Sequence, residues 1–438
     1  MQKDSHDNEI SSSAPQVARI FDTYVEEHLN YGNDPGVIFK ALNFDPDNAW
    51  LNAHCAAIHM SLEAAEGMRA AQPFLEVAAK GADDPDLGDR ERRFIAATLA
   101  FARRDTPEAA RLLTRIVHDY PTDVSAAKWA QYQHFNLGQA SGMLEVAQAM
   151  MPALEGRPYV HGMHAFALEQ TGNFEAAEAA GRRAIDIRRA DPWAHHAVAH
   201  VMEMQGRIKE GEAFMRDLSD VWEGAGIFIR EHNWWHIALF LLDREDYAGA
   251  LDIFDTRLWG EWPDFCQEQI GAVSALWRME LRGVDVGARW QPIGEEIAKR
   301  EFEHMQPFHD LHYIFGLARS GQSALVKEFI TSMEAHAAAP DNPLAPVWSN
   351  LGVPMAKAIA AYADENWQEA HALMDPLIPK LKSIGGSHAQ RDLFVQSWIE
   401  TLLRTGQRSA AVEVLEKRQS VRPGVVATQK LLDRARQA

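Results

Sequence analysis

Two pairs of histidines stand four residues apart, His196 with His200 and His232 with His236, and Glu203 follows His200 by three and His196 by seven. On an α-helix, residues separated by three, four and seven share one stripe, so each stretch aims its polar groups in a single direction. Imidazoles grouped with a carboxylate can do two kinds of chemistry. As neutral rings they ligate Zn²⁺, Fe²⁺ or Mn²⁺, and His196, His200, His232, His236 and Glu203 are the set from which a divalent metal would draw its ligands. Without a metal they can move protons near neutral pH, with the carboxylate fixing the tautomer. The plainer alternative is a row of histidines hydrogen-bonded to neighbouring carboxylates on a polar repeat surface.

Something must hold two such stripes side by side, and the period of the chain supplies it. The segments RRDTPEAARLL, LGQASGMLEVA, TGNFEAAEAAG and QGRIKEGEAFM align on turn residues Arg104, Gly138, Gly172 and Gly206, each 34 residues after the last. That is the tetratricopeptide period, in which two antiparallel helices form one unit. In the unit after Gly172, Ala177 and Ala184 are small residues suited to close helix packing and Pro192 ends the repeat. REDYAGALDIF, SGQSALVKEF, ENWQEAHALM and TGQRSAAVEVL keep the pattern at wider spacing, with turns near Glu245, Gly321, Glu365 and Gly406. Strand-like alternation is missing between them. The expectation is an all-α, right-handed superhelix of tetratricopeptide-type hairpins, running as a single array over 15–438 behind a disordered polar tail over 1–14. Pro46 ends one helix, and Asp47 or Asn48 is placed to cap the next.

Composition narrows the function. With 62 acidic and 43 basic residues the net charge is −19, which argues against nucleic acid and anionic membranes as partners. Cys55 and Cys266 are the only cysteines, so neither a disulfide framework nor a cysteine zinc module is available. The opening MQKDSHDNEISSSAPQ lacks the apolar core of a secretory signal, and no later run is long enough to span a membrane, so the sequence reads as a soluble cytoplasmic protein.

In a hairpin array the helix before each turn lines the inner surface. His161 precedes Gly172 by eleven residues, Asp310 and His312 precede Gly321, and Gln390, Arg391 and Asp392 precede Gly406. Every polar group singled out therefore falls on an inner helix. Arg391 can grip a carboxylate or phosphate with Asp392 orienting it, or can form an ordinary ion pair with that aspartate. Ser387, after Gly385 and Gly386, is a plausible cap for a helix whose start could receive an anion. Trp193, Trp234 and Trp235 stand beside the histidine stripe and can wall a pocket or pack between repeats. No GxSxG, HExxH or GxGxxG motif occurs.

These strings, HxxxHxxE within VAHVMEM, HNWWH, FHDLHY, GVDVGARWQ and GGSHAQRD, resemble in order and spacing the tetratricopeptide repeat protein 38 family over roughly residues 30–430. The resemblance implies an all-α repeat fold and supplies no reaction. The family pattern covers His161, His196, His200, Glu203, His232, Trp235, His236, Asp310, His312, Gln390, Arg391 and Asp392, and leaves out His164, His195 and His309.

Two functions follow as expectations. The first is an enzyme of hydrolase or lyase type acting on a small polar molecule, anionic ones included, inside a closed concave pocket. His196, His200, Glu203, His232, His236, Asp310 and His312 would be its acid–base set, and His161, Trp235, Gln390, Arg391 and Asp392 its substrate contacts. The second is a scaffold gripping an extended peptide of a protein partner. Peptide-carboxylate clamps normally use Lys, Arg and Asn on successive inner helices, and here those positions carry His, Glu, Asp and Trp.

Overall fold

A computed structural model describes residues 2–437, and most of them are helical. The helices come in antiparallel pairs whose members differ in kind. Pro158–Gln170 buries eleven of its thirteen residues, whereas the following Phe174–Ile187 buries only Ala177, Gly181 and Ala184. Those three small residues let the outer helix approach closely. A Cβ added at Gly181 would come within 2.5 Å of the Val198 side chain.

The turns explain the period. Arg104, Gly138, Gly172, Gly206, Glu245, Gly321, Glu365 and Gly406 all have φ between 58° and 82°. Each is the left-handed residue that ends an inner helix, and the next residue donates back across the last turn, as Asn173 does to the Leu168 carbonyl at 2.9 Å and Asp246 to that of Leu241 at 2.9 Å. The same closure occurs at Gly283, where Val284 donates to Met279 at 3.0 Å.

The starts of the inner helices share a second device, a latch. The fourth residue of each of five helices donates a side-chain N–H to the carbonyl six residues earlier. Asn52 bonds Pro46 (2.9 Å), His161 bonds Glu155 (2.7 Å), His195 bonds Arg189 (2.7 Å), Gln269 bonds Pro263 (2.9 Å) and Arg391 bonds Gly385 (3.2 Å). In the helix Pro307–Arg319 the same position is Asp310, and it accepts from the side chain of His304, again six residues earlier, at 2.7 Å. Asn48 caps its helix by accepting from the Leu51 amide at 3.0 Å.

The polar opening is not a disordered tail. Gln2–Lys3 pairs with Glu9–Ile10 in a two-stranded antiparallel hairpin, His6 bonds the Tyr159 hydroxyl at 2.8 Å, and the Ser11 amide donates to Glu91 at 3.0 Å. Ile10 is fully buried, which the run of polar neighbours concealed.

The chain also divides where a single array was expected. One compact unit comprises Met1–Val198 with Val221–Ile229, the other Ala199–Asp220 with Arg230–Ala438. Phe21, Trp50, Phe94 and Trp129 are core residues of the first. In the second, the buried Trp277 ring stacks on Phe315 at 3.6 Å. Among the described residues, no helix is long and apolar enough to cross a membrane.

Candidate functional site

The second unit concentrates the polar groups. His200 and Glu203 come from the helix Pro192–Met204, His232, Trp235, His236 and Asp243 from Ile227–Asp243, Arg278 from Cys266–Leu281, His312 from Pro307–Arg319, and Asp392 and Gln396 from His388–Arg404. His200 and His236 are fully buried, with ring centroids 4.5 Å apart, and His232 meets His236 edge-on at 5.0 Å. Ring nitrogens of His200, His232 and His236 all lie within 4.8 Å of one another.

Burial sets the protonation of this group. It drives the His200 and His232 imidazoles well below their ordinary pKa, helped by the neighbouring rings, and takes His236 down to about 3 with Arg278 adding to the effect. In all three rings burial favours the neutral imidazole, the form that ligates metals. His236 Nδ1 faces Glu203 Oε2 at 3.3 Å. Burial raises the Glu203 carboxyl to about 7, against the pull of Arg422.

Glu203 opens onto a buried ionic chain. Arg422 donates through Nε to the Glu203 carbonyl (2.8 Å) and through Nη2 to Asp243 Oδ2 (2.6 Å). Asp243 Oδ1 accepts from Arg282 (3.1 Å), and Arg282 reaches Gln396 Oε1 (3.1 Å). Gln396 donates to Asp392 (2.7 Å), and Asp392 takes a two-pronged contact from Arg418 at 2.5 and 2.9 Å. Burial works against the Asp392 carboxylate, but Arg418 and Arg422 outweigh it and hold it below the usual carboxylate range. Arg278 is itself buried, donates to Ser274 Oγ (2.5 Å) and the Ala389 carbonyl (2.6 Å), and lies 5.3 Å from the centre of the Trp235 ring.

The far end of this chain floors a cleft of about 770 Å³ in the same unit. Asp243, Arg282, Gln396 and Arg418 line it, together with the last residues of the inner helices ending at Asp243, Leu281, Arg319, Ala363 and Arg404. Tyr247, Trp277, Trp290, Phe315, Tyr362 and Trp367 are its aromatic lining. Its charges are already paired: Arg319 with Glu280 at 2.8 Å, Arg404 and Arg434 with Glu400 at 2.6 and 3.0 Å, and Lys430 with Glu245.

The remaining expected site residues are divided between the two units. His196 lies one turn before His200 on the same helix but belongs to the first unit, where its ring rests 4.5 Å from Trp193 and 5.0 Å from Phe166. His161 is also in the first unit and serves as a latch. His312 joins the polar centre of the second unit. It donates from Nδ1 to the Phe308 carbonyl at 2.8 Å, its buried Nε2 has no hydrogen-bond partner, and Arg278 adds to the burial that lowers it to about 3.

Asp310 does not accompany His312. Two residues apart on a helix means about 200° around the axis, and Asp310 turns instead to His304, where burial lifts its carboxyl to about 6. Gln390 is taken up by a capping box, accepting from the Ser387 amide at 2.8 Å while its own amide donates to Ser387 Oγ at 3.2 Å. Arg391 latches the Gly385–Gly386 turn, and Asp392 pairs with Arg418 rather than with Arg391. Sequence reasoning missed Asp243, Arg278, Arg282, Arg418 and Arg422. The one local signal was Arg278, a lone cation inside the apolar run VSALWRMEL.

No protein-family model matches the sequence. Among solved structures the chain is similar to a human IFIT1 dimer with PPP-AAAA, at 11% identity and a TM-score of 0.42 over 94% of each chain. It is also similar to yeast Tom70, at 12% identity and a TM-score of 0.35 over 96% of this chain and 87% of that one. A third likeness is to the P58(IPK) TPR domain, at 13% identity and a TM-score of 0.23 over 80% of this chain and all of that one. At these values the reading of the site rests on the chain's own geometry.

Proposed function

We propose that this helical-hairpin protein is a recognition protein whose second unit receives a polypeptide segment carrying basic side chains. The observation that carries this reading is the position of the cleft at the C-terminal ends of five inner helices, with Glu245, Glu280, Glu365 and Glu400 in its lining. Helix C-termini bear partial negative charge and favour cations. The arginines already there are held in pairs, so a basic side chain of the ligand can exchange with them at little cost in desolvated charge. Tryptophan and tyrosine faces add the apolar and cation–π contact that peptide binding draws on.

The test is a panel of short basic, acidic and neutral peptides, with an oligonucleotide as polyanion, titrated against the full chain. Basic peptides should bind, and Glu280→Lys together with Glu365→Lys should abolish that binding. Binding of the oligonucleotide alone, or of no peptide, refutes the reading.

A second reading, an acid–base enzyme for a small polar molecule, draws support from the Glu203–His236 pair connected through Arg422, Asp243 and Arg282 to the cleft floor. Turnover in a metabolite screen, lost in Glu203→Gln, would favour it over recognition alone. The likeness to the tetratricopeptide repeat protein 38 family belongs with both readings. Its histidine and carboxylate strings fall on inner helices, although Asp310, Gln390 and Arg391 serve helix starts.

A further inference from the structure

We propose that His200, His232 and His236 bind a divalent cation of the zinc class, a role that goes beyond peptide recognition. Three imidazoles from two adjacent helical stretches offer ring nitrogens within 4.8 Å of one another. Zinc-bound imidazole nitrogens stand at about 2.0–2.1 Å from the metal and so about 3.3 Å apart in a tetrahedral site. Binding would draw the three nitrogens together by about 1.5 Å, starting from rings set at 63° and 90° to one another.

The surroundings are those of a ligand set. Glu203 occupies the Nδ1 side of His236, leaving Nε2 as the atom that would face the ion, which is the carboxylate–histidine–metal arrangement that fixes a ligand's tautomer. Nitrogen donors select a borderline metal such as Zn²⁺ or Co²⁺ over Mg²⁺ and Ca²⁺, which require oxygen. Arg278 opposes a cation here and Arg282 acts in the same sense, while Asp392, Glu203 and Asp243 act against them. His232 is the least buried of the three and gives the ion its way in.

The alternative is that the three rings are only packed aromatic residues. The two are separated by titrating chelator-treated full-length protein with Co²⁺ and following visible absorption, with Zn²⁺ competition, in the absence of any peptide. One equivalent of Co²⁺ should give four-coordinate bands that Zn²⁺ removes, Glu203→Gln should weaken binding about 10–100-fold, and the His200→Ala/His236→Ala double variant should give no bands. If the double variant does not fold, the wild type and Glu203→Gln decide. Absence of bands in the wild type, or equal affinity in Glu203→Gln, overturns the proposal. Peptide binding is read without metal, so either result can fail alone.

Discussion

Arg422 is the residue through which the ionic chain of the second unit can best be tested. Its guanidinium touches Asp243 at 2.6 Å and the Glu203 carbonyl at 2.8 Å, and lies 3.9 Å from carboxylate oxygens of both Glu203 and Asp392. Replacing it with methionine keeps the aliphatic volume and removes the charge. Removing one member of a buried ion pair costs about 3–5 kcal/mol when the partner is left alone. Asp243 keeps Arg282 and Asp392 keeps Arg418, so only Glu203 is stranded, and it can shed part of the cost by taking up a proton. The loss of a donor to a buried carbonyl adds about 1–3 kcal/mol.

The lower end of each term applies, about 4 kcal/mol together, and in a unit of this size that lowers Tm by about 8–16 °C. Scanning calorimetry of the full chain reads this directly, with hydrogen exchange over residues 199–204 and 230–243, which carry Glu203 and Asp243, locating the loss. Adding Glu203→Gln to Arg422→Met should restore part of the melting temperature, because the stranded charge is gone. A single variant melting within about 2 °C of wild type, or a double variant no better than the single, would refute the reasoning.

Other perturbations address the first unit, the latches and the cleft. Lys128 is buried with its ammonium 3.9 Å from the centre of the Tyr31 ring and 4.6 Å from that of Trp193, and burial lowers its pKa to about 7 despite the opposing charge of Asp191. Between about pH 7 and the ordinary lysine value the unfolded chain holds the extra proton, so stability rises with pH there. Lys128→Met should raise Tm most at pH 7 and below, and the gain should shrink towards pH 10 in thermal melts across that range. Asn52→Ala removes the bonds to Pro46 and Asn48, and should cost about 1–2 kcal/mol in urea titration and speed amide exchange at the start of that helix. Trp367→Ala, at a half-buried cleft position where Arg404 lies 5.1 Å from the ring centre, should weaken basic-peptide binding by calorimetry while leaving Tm nearly unchanged.

The turns were legible because their cause is local. A left-handed residue followed by a backward hydrogen bond needs only the end of one helix and the residues after it, and even Arg104, Glu245 and Glu365 stand where glycine would be favoured. The stripe of His200, Glu203, His232 and His236 was legible for the same reason, since helical spacing fixes it. The ionic chain was not. Arg422 lies 219 residues from the glutamate it serves, and a charged side chain near a helix end carries no mark of a distant partner. Latch residues were misread for a subtler reason. His161, Asp310 and Arg391 are polar, buried and on inner helices, as site residues would be, and only the carbonyl or side chain six positions back shows what they do.

That latch also bears on the order in which the chain acquires structure. Each one joins residues six apart, a loop that closes on the order of tens of nanoseconds, faster than a helix of this length relaxes. A hairpin can therefore mark where its inner helix begins before any neighbour has packed against it. Asn, His, Gln and Arg all serve at that position, because what matters there is an N–H of the right reach, so exchange among these residues would leave the start of a latched helix in place.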